Sequence, residues 1–169
     1  VDHPEFAKVE DEVKTQIKKI LAINGNRTID DFHRELGKVM WQECAMSRNK
    51  LGLEKAILKI KEIRKQFWAD VKVPGEANGM NMELEKAFRV ADFLELGQLM
   101  AKDALAREES CGGHFRWDHA TPEGEAERDD ENFKYVAVWE YQGEDINQET
   151  MHKEDLVYEN IEVKTRSYK

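Results

Sequence analysis

Residues 82–109 read MELEKAFRVADFLELGQLMAKDALAREE, a stretch without proline in which apolar side chains return every three or four positions. Leu84, Ala87, Phe88, Ala91, Leu94, Ala101 and Leu105 make one band, and Phe93, Leu96, Gly97, Met100 and Ala104 make a second. This spacing predicts an α-helix, roughly 40 Å long at 1.5 Å per residue. Asn81 stands where a side chain can cap its first amides. A helix that is apolar over so wide an arc is covered on more than one side. The expectation is that this segment leans on something beyond its own bundle.

Upstream of it the same period predicts three shorter helices. The first runs from about Pro4 to Ile23, with Phe6, Val9, Val13, Ile17, Ile20 and Leu21 on one face and Asp2 and Glu5 placed as a capping box. Asn24-Gly25-Asn26 stops it, read as residues that accept a left-handed helix end. The second opens at Thr28, whose hydroxyl can cap it, with Asp30 and Asp31 favoured by the helix dipole. Ile29, Phe32, Leu36, Val39, Met40 and Cys44 form its apolar face. The third carries Leu53, Ala56, Ile57, Ile60, Ile63 and Phe67, and a break from Val73 to Gly79 separates it from the long helix. Trp41 and Trp68 fall at the edges of their apolar arcs and are interface candidates.

Downstream the character changes. Cys111-Gly112-Gly113 ends the helix, residues 118–132 form a polar, acid-rich loop, and Tyr135 to Tyr141 reads as a strand. Leu156 to Val163 alternates and is the expected partner strand. The fold class expected is mainly α: an up-and-down three-helix bundle, spectrin-repeat-like, with an additional N-terminal helix and a C-terminal extended arm with a small β-hairpin. Residues 1–110 would be the bundle and 111–169 a tail packing on it.

Composition narrows the functions. Residues 1–110 hold 19 Lys/Arg against 20 Asp/Glu, and the remaining residues hold 7 against 15. An acidic tail repels phosphates, so no nucleic-acid partner is expected. No run of about 18 apolar residues exists, so no direct membrane insertion is expected. Two cysteines do not make a disulfide framework, and a reduced cytoplasmic setting is the simpler reading. The opening Val1-Asp2-His3-Pro4 reads as the start of an internal helix, as in a piece of a longer protein.

The chemistry-bearing residues point away from catalysis. Cys111, His114 and His119, with Cys44 elsewhere, could supply zinc-type ligands, but the Cys-x2-His spacing lacks a second paired half. Cys111 also lies at the negative end of a helix, which disfavours a thiolate. Paired carboxylates sit in polar loops, with only Asp129 and Asp130, beside Arg128, placed for an ionic contact. No glycine-rich turn between a strand and a helix was found to cradle a nucleotide. Catalytic, metal-binding and cofactor-binding residues are therefore expected to be absent.

The run His33-Arg34-Glu35-Leu36-Gly37-Lys38-Val39-Met40-Trp41, followed by Cys44-Ala45-Met46-Ser47-Arg48-Asn49, resembles the C-terminal helical domain of succinate dehydrogenase/fumarate reductase flavoproteins. Arg89-Val90-Ala91-Asp92-Phe93-Leu94-Glu95-Leu96-Gly97 resembles that domain's long helix. Arg107-Glu108-Glu109-Ser110-Cys111-Gly112-Gly113-His114-Phe115-Arg116 is similar to its signature, in a form resembling the Bacteroidetes-type branch. Arg128-Asp129-Asp130-Glu131-Asn132-Phe133 and Thr165-Arg166-Ser167-Tyr168-Lys169 complete the likeness. It implies a parent subunit that interconverts succinate and fumarate with FAD, with the flavin-binding domain in the same chain and an iron–sulphur subunit beside it. The setting implied is the cytoplasmic side of the inner membrane, held there through partner subunits. Under this reading His114, Arg116, Arg128 and Asp130 are docking contacts that hold the tail in place. The competing expectations are a free-standing helical protein-interaction adaptor and, more weakly, a small metal enzyme.

Overall fold

The structure, a computed structural model, describes residues 3–143 and 149–164. Among the described residues there are five α-helices, α1 (Pro4–Leu21), α2 (Ile29–Glu43), α3 (Lys50–Asp70), α4 (Met82–Ala106) and the short α5 (Asp130–Phe133), and one 3-10 turn, Trp117–His119. Two-residue strands β1 (Arg27–Thr28) and β3 (Val71–Lys72) pair in parallel, as do β2 (Ser47–Arg48) and β4 (Phe115–Arg116). The last two strands, β5 (Tyr135–Glu140) and β6 (Thr150–Asp155), form an antiparallel hairpin. The predicted mainly helical class with a small hairpin is thus the fold observed.

The chain divides into two compact units, Val1–Lys38 with Lys59–Gly97, and Val39–Leu58 with Gln98–Lys169. Helices α2, α3 and α4 each run through both. In the first unit Ile20, Ile29, Phe32, Ile60, Ile63, Phe67, Ala87, Val90 and Leu94 are buried. Phe32 meets Phe67 edge-on at 5.3 Å between ring centroids, the arrangement aromatic quadrupoles favour. The second unit buries fewer large apolar groups, Val39, Cys44, Leu53, Ala56, Ala101, Ala104 and Tyr135, and it also buries Arg116 and Ser110 completely.

The caps explain where the helices begin. Thr28 Oγ1 accepts from Asp31 N at 3.2 Å, and Asp31 Oδ2 accepts from Thr28 N at 3.0 Å, a reciprocal box. The bonds from Thr28 hold the Asp31 carboxyl below its usual range. Asn81 Oδ1 accepts from Leu84 N at 3.0 Å, as the sequence predicts. Asp2 lies outside the described residues. The cap of α1 is instead His3, whose Nδ1 accepts from Glu5 N at 3.2 Å.

Three expectations need correction. The partner of the first strand is Thr150–Asp155, pairing Tyr135 with Asp155 and Glu140 with Thr150, while 156–164 has no strand. Register follows the turn that closes a hairpin, and the closing strand is polar, so its hydrophobic pattern did not announce it. Val157 and Ile161, which alternate well, are 83% and 71% exposed. Second, α4 ends at Ala106, before Glu109. Third, Gly25 is not left-handed, for it is absent from the residues with positive φ. Its reason is proximity: a Cβ there would lie 1.9 Å from the Asp70 carbonyl oxygen.

α1 behaves differently along its length. Ile20 is buried, but Phe6, Val9 and Val13 of the same apolar face are exposed.

Gly25→Ala is expected to destabilise the protein by about 1–3 kcal/mol, since the backbone of Asp70 must move away. Gly37 lies inside α2 with nothing within 4 Å of a Cβ, so Gly37→Ala is expected to stabilise by about 0.5–1 kcal/mol. Chemical denaturation of the two variants measures both.

Candidate functional site

An α-helix leaves its last carbonyls without amide partners, and partial negative charge collects there. At the end of α4 a buried cation answers both needs. Arg116 Nη1 donates to the carbonyls of Ala104 at 3.1 Å, Leu105 at 3.3 Å and Arg107 at 3.3 Å. The other edge of the guanidinium is two-pronged on Asp118, Nε to Oδ1 at 2.8 Å and Nη2 to Oδ2 at 2.7 Å. The Arg116 side chain is 0% exposed, and a buried cation is tolerable only with such complete pairing.

The backbone of Arg116 is fixed as well. Ser110 Oγ accepts from Arg116 N at 2.8 Å and donates to Arg116 O at 3.1 Å. Between them Cys111 N donates to His114 O at 2.9 Å and His114 N to Cys111 O at 3.0 Å. Gly112 turns the chain with φ 59°, a left-handed value that suits glycine. The Ser-Cys-Gly-Gly-His-Phe-Arg run is therefore a folded-back loop that returns Arg116 to the end of its own helix.

A second cation ties in the tail. Arg107 Nη1 donates to Glu109 Oε1 at 2.7 Å and Phe133 O at 3.0 Å, and Nη2 donates to Tyr135 O at 2.8 Å. Glu109, buried, also accepts from Asp129 N at 2.9 Å through Oε2. Farther along, Arg128 grips Asp130 by Nε at 3.0 Å and Nη2 at 2.6 Å, and donates to Lys164 O at 3.2 Å. This pair raises the Arg128 pKa and lines an open cleft of about 730 Å3 with Glu108, Glu127 and Lys153.

His114 is held in one tautomer. Arg48 Nη1 approaches its Nδ1 at 2.7 Å, and its Nε2 faces Arg107 O at 3.0 Å. A guanidinium only donates and a carbonyl only accepts, so Nδ1 is the acceptor and Nε2 carries the hydrogen. Burial, with Arg48, Arg116 and Arg107 nearby, pushes its pKa below the usual histidine range. Neutral imidazole is the fitting form.

Of the four residues singled out from sequence, Arg116 is buried, His114 and Arg128 are half-buried, and Asp130 is exposed. His114 and Arg116 meet at the end of α4; Arg128 and Asp130 pair with each other in the tail. Sequence reasoning missed Arg48, Arg107 and Asp118 as contacts. A signal existed: Arg107-x-Glu109, Arg116-x-Asp118 and Arg128-x-Asp130 are all ion pairs at i, i+2, the spacing that puts both side chains on one side of extended chain.

Among the described residues no group of three His, Cys, Asp or Glu side chains is arranged to hold a metal ion. Burial raises the Cys44 thiol, which disfavours the thiolate. The closest feature to a phosphate cradle is the loop from β3 through Gly75 and Gly79 into α4. Asn81 already caps that helix, and Glu83 and Glu85 occupy its first turn. Carboxylates there repel phosphate, so these residues do not fit a dinucleotide such as FAD.

Arg116→Met is expected to cost about 3–5 kcal/mol, because it strands Asp118 and uncaps α4; a denaturant titration measures it. Acidification tests the electrostatics. Arg116 holds the Asp118 carboxyl well below its usual range. That contribution is complete above about pH 4, where the unfolded carboxyl ionises, and is lost as pH falls below it. Asp118→Asn is expected to remove this acid-limb loss from a plot of melting temperature against pH. The lowered His114 pKa has the same sign at higher pH: stability falls as pH drops below about 6.5. His114→Gln is expected to flatten the profile between about pH 7 and 5.

Comparison with known proteins places this geometry. The family described as fumarate reductase flavoprotein C-term matches residues 33–168. An uncharacterized FAD-dependent oxidoreductase of Methanocaldococcus jannaschii is 33% identical over 120 residues, covering 70% of this chain and 21% of the relative. The fumarate reductase flavoprotein subunit of Escherichia coli is 30% identical over 121 residues, covering 72% and 19%. The chain thus spans about a fifth of the length of these curated relatives. In fold, a solved E. coli quinol fumarate reductase superposes with TM-score 0.76 at 21% identity, over 97% of this chain and 27% of that one. The folded-back Ser110–Arg116 loop, the three ion pairs and the helices that carry them therefore belong to a member of the fumarate reductase flavoprotein C-terminal domain family.

Proposed function

We propose that this region is a docking domain of a succinate dehydrogenase/fumarate reductase flavoprotein subunit, packed against the flavin-binding domain of the same polypeptide. The parent interconverts succinate and fumarate through bound FAD and passes electrons to an iron–sulphur subunit. This region contributes no catalytic group and takes no nucleic acid. It lies on the cytoplasmic side, peripheral to the inner membrane through partner subunits.

The observation that carries the reading is the uncovered face of α4. Phe93, Leu96 and Met100, spaced three and four apart, are 37%, 52% and 49% exposed, while Ala87, Val90, Leu94 and Ala101 of the same helix are buried. Three large apolar groups in register on one helix suit a protein contact. Their polar alternatives would cost the helix nothing in isolation. His114 and Arg116 serve this role by fixing the end of α4, and Arg128 with Asp130 by holding the tail.

In the longer polypeptide, Leu96→Glu is expected to lower stability by about 2–4 kcal/mol, the cost of an unpaired charge in a covered contact. Were that face open to water, the change would be within about 0.5 kcal/mol. Purified longer polypeptide is expected to show flavin absorbance and succinate-dependent dye reduction, and residues 1–169 alone neither. Dye reduction by aspartate instead would assign the parent to the activity named for another relative, the L-aspartate oxidase of Synechocystis. Turnover by residues 1–169 alone would overturn the docking assignment.

A further inference from the structure

The dipeptide Asn-Gly occurs twice in the sequence, as Asn24-Gly25 and as Asn78-Gly79. It is chemically labile, because the amide nitrogen that follows an asparagine can attack the carbonyl of its side chain. A glycine in the following position offers no Cβ to obstruct the approach. The attack needs the backbone to rotate, so the surrounding structure decides whether it occurs. The two copies sit in opposite surroundings.

Asn24-Gly25 is clamped. Asn24 makes an antiparallel bridge to Lys72, and the Asn26 amide donates to Asp70 Oδ1 at 2.9 Å. Gly25 between them is buried, with the Asp70 backbone standing where a Cβ would go. Asn78-Gly79 lies in the loop between β3 and α4, where residues 74–80 are all exposed. That loop is fixed at its base, where Asn81 Nδ2 donates to Pro74 O at 3.1 Å and to Glu76 O at 3.2 Å. Beyond those bonds, among the described residues, no hydrogen bond holds the Asn78 side chain or the Gly79 amide. Gly79 has φ 150° and nothing within 4 Å of the place a Cβ would take, so no neighbour resists the rotation.

We propose that Asn78 is a site of spontaneous deamidation in the native protein, and that the fold protects Asn24 from the same reaction. The Gly79 nitrogen bonds to Asn78 Cγ, and the side-chain amide group leaves as ammonia, taking the Gly79 N–H proton with it and closing a succinimide ring. Water then opens the ring. Addition at Cγ gives aspartate. Addition at the main-chain carbonyl gives isoaspartate, in which the chain runs through the former side-chain carbon. Either product carries a new negative charge just ahead of α4, and the start of a helix favours negative charge. The longer main chain of isoaspartate falls in a loop held only at its base, so the fold accommodates it.

The test incubates the native longer polypeptide at mildly alkaline pH and digests it with trypsin, which releases residues 20–27 and 73–86 as separate peptides. Mass spectrometry is expected to show the mass gain of amide-to-acid conversion at Asn78, growing with time, and none at Asn24 over the same period. In denaturant the two sites are expected to convert at similar rates, since the dipeptide is the same. A carboxyl methyltransferase specific for isoaspartate, supplied with labelled S-adenosylmethionine, is expected to label position 78 without prior unfolding. Gly79→Ala is expected to suppress the conversion, and Asn78→Gln to abolish it. If the native protein converts Asn24 as fast as Asn78, converts Asn81 in place of Asn78, or converts neither copy, the assignment is overturned. Conversion at Asn78 that Gly79→Ala leaves unchanged overturns it as well.

Discussion

The constraint on which the second unit depends is the uncompensated negative end of α4. A 25-residue helix stops inside the protein, where its last carbonyls meet little water, and the chain must return a donor to them. It does so with Arg116, ten residues past the end of the helix. Everything between exists to make that return possible: Ser110 clamps both backbone groups of Arg116, Gly112 turns, and Cys111 and His114 close the loop on themselves. Asp118 then matches the charge that the carbonyls only partly answer. This unit is organised around a buried ion network where the first unit is organised around aromatic and branched aliphatic packing, and the two kinds of core respond to pH differently.

The network also decides what the tail can do. Arg107, just past the end of α4, reaches the strand β5 through Tyr135 O. The tail is therefore held by carbonyl and carboxylate contacts at a few points. Its apolar side chains contribute little: among the described residues of the hairpin only Tyr135 is buried, and Trp139 is fixed by Asp103 and a Lys102 ammonium 4.8 Å above its ring. The same arginine leaves His114 with a carbonyl to donate to, which in turn makes the imidazole an acceptor for Arg48. Helix capping, tail attachment and the orientation of Arg48 are thus one connected set of hydrogen bonds.

The helices were legible because burial imposes a period that a sequence displays openly. Thr28 and Asn81 were legible as caps because their role is local. The hairpin partner was not, since β6 reads Thr-Met-His-Lys-Glu-Asp and is defined by its pairing, with little apolar burial to mark it. Gly25 was identified as a helix stop for the wrong reason, because the Asp70 carbonyl that crowds it is 45 positions away and no local pattern announces it. At the site, Arg116 was singled out from the sequence, yet its partners were not all recognised. The Arg-x-acid spacing was present three times, but within a regular α-helix residues two apart do not face each other, and the expected helix through Glu109 hid the first of them. The family resemblance placed the signature correctly and was silent on its chemistry.

The short parallel pairs carry a consequence for synthesis. β1 and β3, at residues 27–28 and 71–72, both belong to the first unit, whereas β2 waits for β4 at Phe115 and Arg116. On a ribosome the first unit can complete its pairing once Lys72 and the first half of α4 have emerged. The segment from Val39 to Leu58 has no strand partner and no Asp118 for its Lys50 amide until the loop beyond α4 is out. Through that interval Cys44, Leu53 and Ala56 lack part of their final cover, so the nascent chain is most exposed to misassociation just before its signature loop appears.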